Sequence, residues 1–186
     1  LMNKFNLTIF FIFALVFVTE TNATIKNKII ENFQNIENLT FNFEQNIEGK
    51  VENGNCVIQF PKKIYCKYEL RNQKILVSNG SSLVIKTSTS YYIYPLDKTP
   101  LNIILDKNIL LNKIKNLDER IIDDKYINYS FNENENEINI FFSKKNYELL
   151  GWQILDIYQN LNITFLSKIK KNQNINKNLF KLPVQK

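Results

Sequence analysis

The sequence has no histidine. That removes Ser-His-Asp and Cys-His nucleophilic systems and every zinc site built on imidazole. Two cysteines, Cys56 and Cys66, are too few for a four-thiolate metal site. No segment matches an RNP strand, a zinc finger or a helix-turn-helix, so nucleic acid is not expected as a partner. The net charge is +6 and the pI about 9.2, yet no block of basic residues stands out. A basic balance favours anionic partners in general. Chemistry on carboxylates or lysine remains open in principle, but no catalytic residue, cofactor or metal site is expected.

A membrane-spanning run is also missing. The apolar stretch Leu7–Val18 has twelve residues, and a spanning helix needs about 20. Lys4 precedes it, and Thr21 and Ala23 are small residues at the −3 and −1 positions of a cleavage site. This pattern predicts a secretory signal peptide over 1–23, removed after Ala23. Lys4 and Glu20 cancel, so the remainder keeps +6. No cysteine lies at the cut, so lipidation is not expected. Residues 24–186 suffice for one domain with a sizeable core. Export would expose Cys56 and Cys66 to an oxidising compartment.

The remaining periodicity changes along the chain. Ile25, Ile29, Phe33 and Ile36 predict an amphipathic helix from about Thr24 to Asn38. Alternation then takes over. Phe41, Phe43 and Ile47 share one face of a strand, as do Cys56, Ile58 and Phe60, and then Ile64, Cys66, Tyr68 and Leu70. Asn79-Gly80 between two apolar runs predicts a two-residue hairpin turn pairing Ser78 with Ser81 and Leu76 with Leu83. Tyr91–Tyr94 forms a short strand. Thr99 as a cap and Pro100 at the first helical position start a short helix carrying Leu101, Ile104 and Leu105, and Leu110–Leu117 adds further turns. Lys125–Phe131 and Glu137–Ser143 read as strands. A last hairpin runs from Trp152–Ile157 to Leu161–Ile169, and Phe180 sits in a terminal strand. The expected fold class is α+β, mainly β: a curved antiparallel sheet with one wet face, covered on the other by the helical segments.

Phe43-Glu44-Gln45 after the first helix, Pro61 followed by Ile64, Cys66 and Tyr68, the hairpin Ile75–Leu83, and Thr99-Pro100-Leu101, taken in this order, resemble the outer-membrane lipoprotein carrier protein family (LolA). Gly151-Trp152, Asp156 and Phe180 form a weaker fifth. Their order, behind a signal peptide, spans about Ile29 to Leu182. The resemblance implies an unclosed antiparallel β-barrel with a helical lid. It also implies a monomeric periplasmic carrier of acylated lipoproteins, loaded by an inner-membrane lipoprotein-releasing ABC transporter and unloaded to an outer-membrane lipoprotein receptor. In one respect the sequence departs from the family. Its usual Arg before the strand proline, which bonds the lid, is here Phe60, so lid closure must rest on something else, such as Phe60 packing on Leu101 or Ile104.

The expected acyl-binding residues are Phe41, Phe43, Ile58, Phe60, Ile64, Tyr68, Leu101, Ile104, Leu105 and Trp152; each is equally readable as ordinary core. If Ile58 pairs with Ile64, Cys56 lies opposite Cys66. A non-hydrogen-bonded antiparallel pair brings α-carbons to about 4.5 Å, within disulfide range; two buried free thiols are the alternative. Asp118, Glu119, Asp123 and Asp124 read as a solvated loop, and Lys62, Lys63 and Lys67 as a solvated face. A shuttle or sensor for phospholipid or another amphiphile would show the same groove. A hydrolase would need paired inward acids, and Glu44, Glu69 and Asp156 fall at outward or edge positions.

Overall fold

A computed structural model describes residues 24–133, 136–155 and 159–185. The signal-peptide segment 1–23 and Asp156 lie outside the described residues. Eleven strands form one antiparallel sheet. In chain order they are β1 (Asn38–Ile47), β2 (Lys50–Gln59), β3 (Lys63–Tyr68), β4 (Ile75–Asn79), β5 (Ser82–Lys86), β6 (Tyr91–Pro95), β7 (Arg120–Ile122), β8 (Tyr126–Glu133), β9 (Asn136–Ser143), β10 (Leu149–Leu155) and β11 (Leu161–Lys171). The spatial order β6-β5-β4-β3-β2-β1-β11-β10-β9-β8-β7 is two meanders joined where β1 meets β11. Strands β6 and β7 are free edges, so the sheet curls without closing. Among the described residues, three α-helices accompany it: α1 (Ile25–Gln34), α2 (Leu101–Ile104) and α3 (Lys107–Lys115).

The first helix is shorter than its periodicity suggests. Thr24 caps it, its hydroxyl accepting from the Asn27 N–H, and Ile29 and Phe33 face inward. It stops at Gln34 because β1 already begins at Asn38. The freed carbonyls of Gln34 and Ile36 accept from Lys107 Nζ of α3 at 2.6 and 2.8 Å. The Thr99 hydroxyl does not cap α2. It donates to the Leu96 carbonyl, closing the 3-10 turn Leu96–Lys98.

Helices α1 and α3 pack on the half of the concave face built by β8 and β9. Phe33 meets Phe142 edge-on, with ring centroids 6.2 Å apart, and Asn32 donates to the Asn146 carbonyl in the β9–β10 turn. Lys113 of α3 lies over the Phe131 ring of β8. Ile29, Leu110, Ile114, Ile127, Tyr129, Ile138 and Ile140 are all buried in this core.

Three expectations are corrected elsewhere in the fold. The Ile75–Ile85 hairpin pairs Ser78 with Leu83 and Leu76 with Ile85. Its two-residue turn is Gly80-Ser81, and Asn79 accepts through its side chain from the N–H groups of Ser81 and Ser82. This register differs by two positions from the one the Asn-Gly rule predicts, so every side chain keeps its face. Phe180 lies in a 3-10 turn, Lys177–Phe180, that contacts β3 and β4 rather than in a strand. Arg120–Ile122, lying between the four acids read as a solvated loop, is edge strand β7, paired with Asn128–Tyr126.

Candidate functional site

The concave face over β1–β6, continued by β11 and β10, holds a cavity of about 440 Å³. No residue of α1, α3, β7, β8 or β9 lines it. Its roof is the start of α2: Thr99, Pro100 and Leu101.

Register explains the floor. Side chains of Phe41, Cys56, Cys66, Leu76, Ile85 and Tyr92 fall in one row across six strands. Cys56 and Cys66 form a disulfide in the middle of this row, with α-carbons 4.1 Å apart. All but Phe41 border the cavity. The next row pairs Phe43 with Gly54 and Gly54 with Tyr68. A Cβ on Gly54 would lie 2.7 Å from the Phe43 ring and collide with the Lys67 carbonyl, so only glycine fits beneath the Phe43–Tyr68 pair, whose centroids are 4.9 Å apart.

The row beyond is polar. Trp152, Thr164, Gln45 and Glu52 lie side by side across β10, β11, β1 and β2. Gln45 donates to Asn162 Oδ1 at 3.0 Å and Thr164 Oγ1 at 3.3 Å, and accepts from the Tyr68 hydroxyl at 3.1 Å. Glu52, only 4% exposed, accepts from Lys74 at 2.6 Å and pairs with Lys50 at 3.2 Å. Burial pushes its carboxyl up, but the two lysines outweigh burial and hold it below the ordinary carboxylate value. Burial, and then the Glu52 charge, push the Tyr68 phenol well up, so it remains a donor. Lys74 Nζ sits 4.1 Å from the centroid of the Tyr68 ring. The cavity thus has an apolar floor and one polar corner.

The ten residues expected to bind acyl chains divide. Phe43, Ile64, Tyr68, Leu101 and Trp152 line the cavity. Phe41, Ile58, Ile104 and Leu105 do not; each is at most 1% exposed and belongs to the packed core. Phe60 is half-buried between the helices, its ring edge-on to Phe33 at 5.5 Å and 6.0 Å from Lys107 Nζ. The roof is tied at Lys62: its N–H donates to the Leu105 carbonyl at 2.6 Å, and its Nζ lies 3.7 Å from Asp106. Glu44 and Glu69 are exposed, away from the cavity. Sequence reasoning missed Gln45, Glu52, Asn162 and Thr164 because polar residues at inward positions break the hydrophobic alternation on which it depends, and Lys74 because it lies in the loop before β4, which has no period.

Among the described residues, no helix is long and apolar enough to cross a membrane. No match to a curated protein was found. Among solved structures, an uncharacterized conserved protein from Thermus thermophilus superposes with a TM-score of 0.51 at 9% identity, covering 87% of this chain and 93% of that one. A LolA superfamily protein from Nitrosomonas europaea gives 0.44 at 8% identity, with 85% and 96% covered. The Mycobacterium tuberculosis lipoprotein LppX gives 0.43 at 11%, with 82% and 95% covered. These likenesses concern the fold. The family model described as outer membrane lipoprotein carrier protein LolA matches residues 34–183, so the chain belongs to the LolA family.

Proposed function

We propose that this protein is a periplasmic carrier that takes the acyl chains of lipoproteins leaving the inner membrane and delivers them to a receptor at the outer membrane. The observation that carries the reading is the cavity of about 440 Å³, with its apolar floor, on the half of the sheet that α1 and α3 leave uncovered. Its size lies in the range of roughly 300–1,000 Å³ usual for small-molecule sites. Burying a methylene is worth about 0.8 kcal/mol, so a sixteen-carbon chain in water carries a penalty on the order of 12 kcal/mol. A carrier must remove that penalty and still let the chain go. The roof suits this. It is one helical turn, held at its end by the Lys62 N–H on Leu105 and the long pair to Asp106. These two contacts are worth about 1 kcal/mol net each, but Ile104 and Leu105 of the same turn are core residues, so opening is confined to its cavity-lining start, Thr99–Leu101. In this reading the fastening at Lys62 takes the role of the lid-bonding Arg that Phe60 replaces. The donor and receiver are an inner-membrane lipoprotein-releasing ABC transporter and an outer-membrane lipoprotein receptor, with the protein acting as a monomer.

The test is incubation of the purified protein with spheroplasts that are synthesising labelled lipoproteins. The expected result is lipoprotein in the supernatant in a one-to-one complex with this chain. Extraction of phospholipid without lipoprotein would replace the reading with that of a phospholipid shuttle. No extraction of either would remove the carrier role.

A further inference from the structure

The polar corner is not needed for an apolar cavity. Apolar side chains of similar size would stabilise the fold as well as, or better than, a buried ion pair. Its hydrogen bonds also have a direction. The acceptors of Glu52 and Gln45 are engaged inside the cluster: Glu52 Oε1 by Lys50, Glu52 Oε2 by Lys74, and Gln45 Oε1 by the Tyr68 hydroxyl. Lys74 is different. Its ammonium has three N–H donors, and among the described residues it gives one hydrogen bond, to Glu52. The side chain is 18% exposed, borders the cavity, and is fixed by Glu52 on one side and the Tyr68 ring on another. Lys74 therefore keeps donor capacity at this corner, held in place before any ligand arrives. With Glu52 ionised, Lys50, Lys74 and Glu52 together carry one net positive charge.

We infer that the corner around Lys74 is a head-group subsite, which takes an oxygen acceptor adjoining the acyl chain: an ester or amide carbonyl, or an anionic oxygen. The inference rests on the carrier reading and adds what that reading leaves open, namely how a chain is registered in the cavity. The apolar floor takes the methylenes without preference. Lys74, with Gln45 behind it, fixes where the chain begins.

Matched amphiphiles test this on the intact protein, by displacement of the neutral dye N-phenylnaphthylamine. Monopalmitoylglycerol offers an ester carbonyl, hexadecylglycerol has an ether in its place, and hexadecyl phosphate offers anionic oxygens. One hydrogen bond to a charged donor predicts that the ester binds at least about tenfold tighter than the ether. Lys74→Met should bring that ratio close to one, and Lys74→Arg should keep most of it. Whichever of ester and phosphate binds tighter identifies the acceptor the subsite prefers. Equal binding of ester and ether by the unmodified protein overturns the subsite and leaves the carrier reading standing. A ratio that survives in Lys74→Met also overturns it. Failure of every amphiphile to displace the dye removes the carrier reading itself.

Discussion

Reduction of the Cys56–Cys66 disulfide should lower stability by an amount the sequence spacing sets. The bond joins residues ten apart on adjacent strands. For a closed loop of that size, loop-closure entropy gives about 2.7 kcal/mol at 25 °C. Both residues are buried with the disulfide intact and stay on the same apolar face when reduced, so transfer contributions largely cancel between the oxidised and reduced forms. A domain of this size loses about 2–4 °C of Tm per kcal/mol, which predicts a drop of roughly 5–11 °C. The measurement is thermal unfolding of one preparation before and after reduction, with thiol titration counting none and then two free thiols per chain. Urea unfolding should show a larger m-value for the reduced form, because its unfolded chain exposes more surface. Transitions within about 1 °C, with the thiol counts confirmed, would refute the entropic argument, because the β2–β3 hairpin would then persist in the unfolded ensemble without its cross-link.

Two further outcomes follow from the same geometry. Glu52 is held below its ordinary pKa of 4.5, so its contribution is full above that pH and is lost as pH falls through the lowered value. Glu52→Gln should therefore lose stability relative to the unmodified protein at pH 7, and the difference should shrink as unfolding is followed down through pH 4.5; a difference independent of pH would mean that the charge is not what matters. Core and cavity wall should also respond differently to truncation. Ile58→Ala should cost about 2–5 kcal/mol of stability in urea unfolding with little change in dye binding, whereas Leu76→Ala, on the cavity floor, should weaken dye binding at a smaller cost in stability.

How far the sequence foretold this molecule depended on what each element buries. The clean alternation of β1 and β3 and the Ile58–Ile64 register were readable because Phe41, Phe43, Ile64 and Tyr68 are large, apolar and inward. The start of β2 was not readable, since its inward positions are Glu52 and Gly54, a charge and an absent side chain. Strand β7 was hidden for a related reason: an edge strand of three residues buries little and shows no period. The hairpin at Asn79-Gly80 was mistaken by two positions because Asn79 serves the turn through its side chain rather than its backbone, and local propensity cannot tell these apart. Among site residues, the sequence could mark inward apolar positions but could not divide them. Whether Ile58 or Ile64 meets the cavity depends on where α1 and α3 come to rest.

That placement explains why one concave face is core in one half and cavity in the other. Over β8 and β9 the inward residues are Ile127, Tyr129, Ile138, Ile140 and Phe142, an unbroken apolar surface on which two amphipathic helices can bury their stripes. Over β2–β4 the inward set includes Glu52, Gly54, Cys56, Cys66 and Ser78, which are short or charged. A helix laid there would leave a void above the disulfide and would strand the Glu52–Lys74 pair against apolar side chains. The helices are therefore drawn to the other half, and the space above β2–β4 stays open beneath a single turn of α2. The positions that most weaken the hydrophobic pattern of this sequence are the ones that keep its cavity from filling.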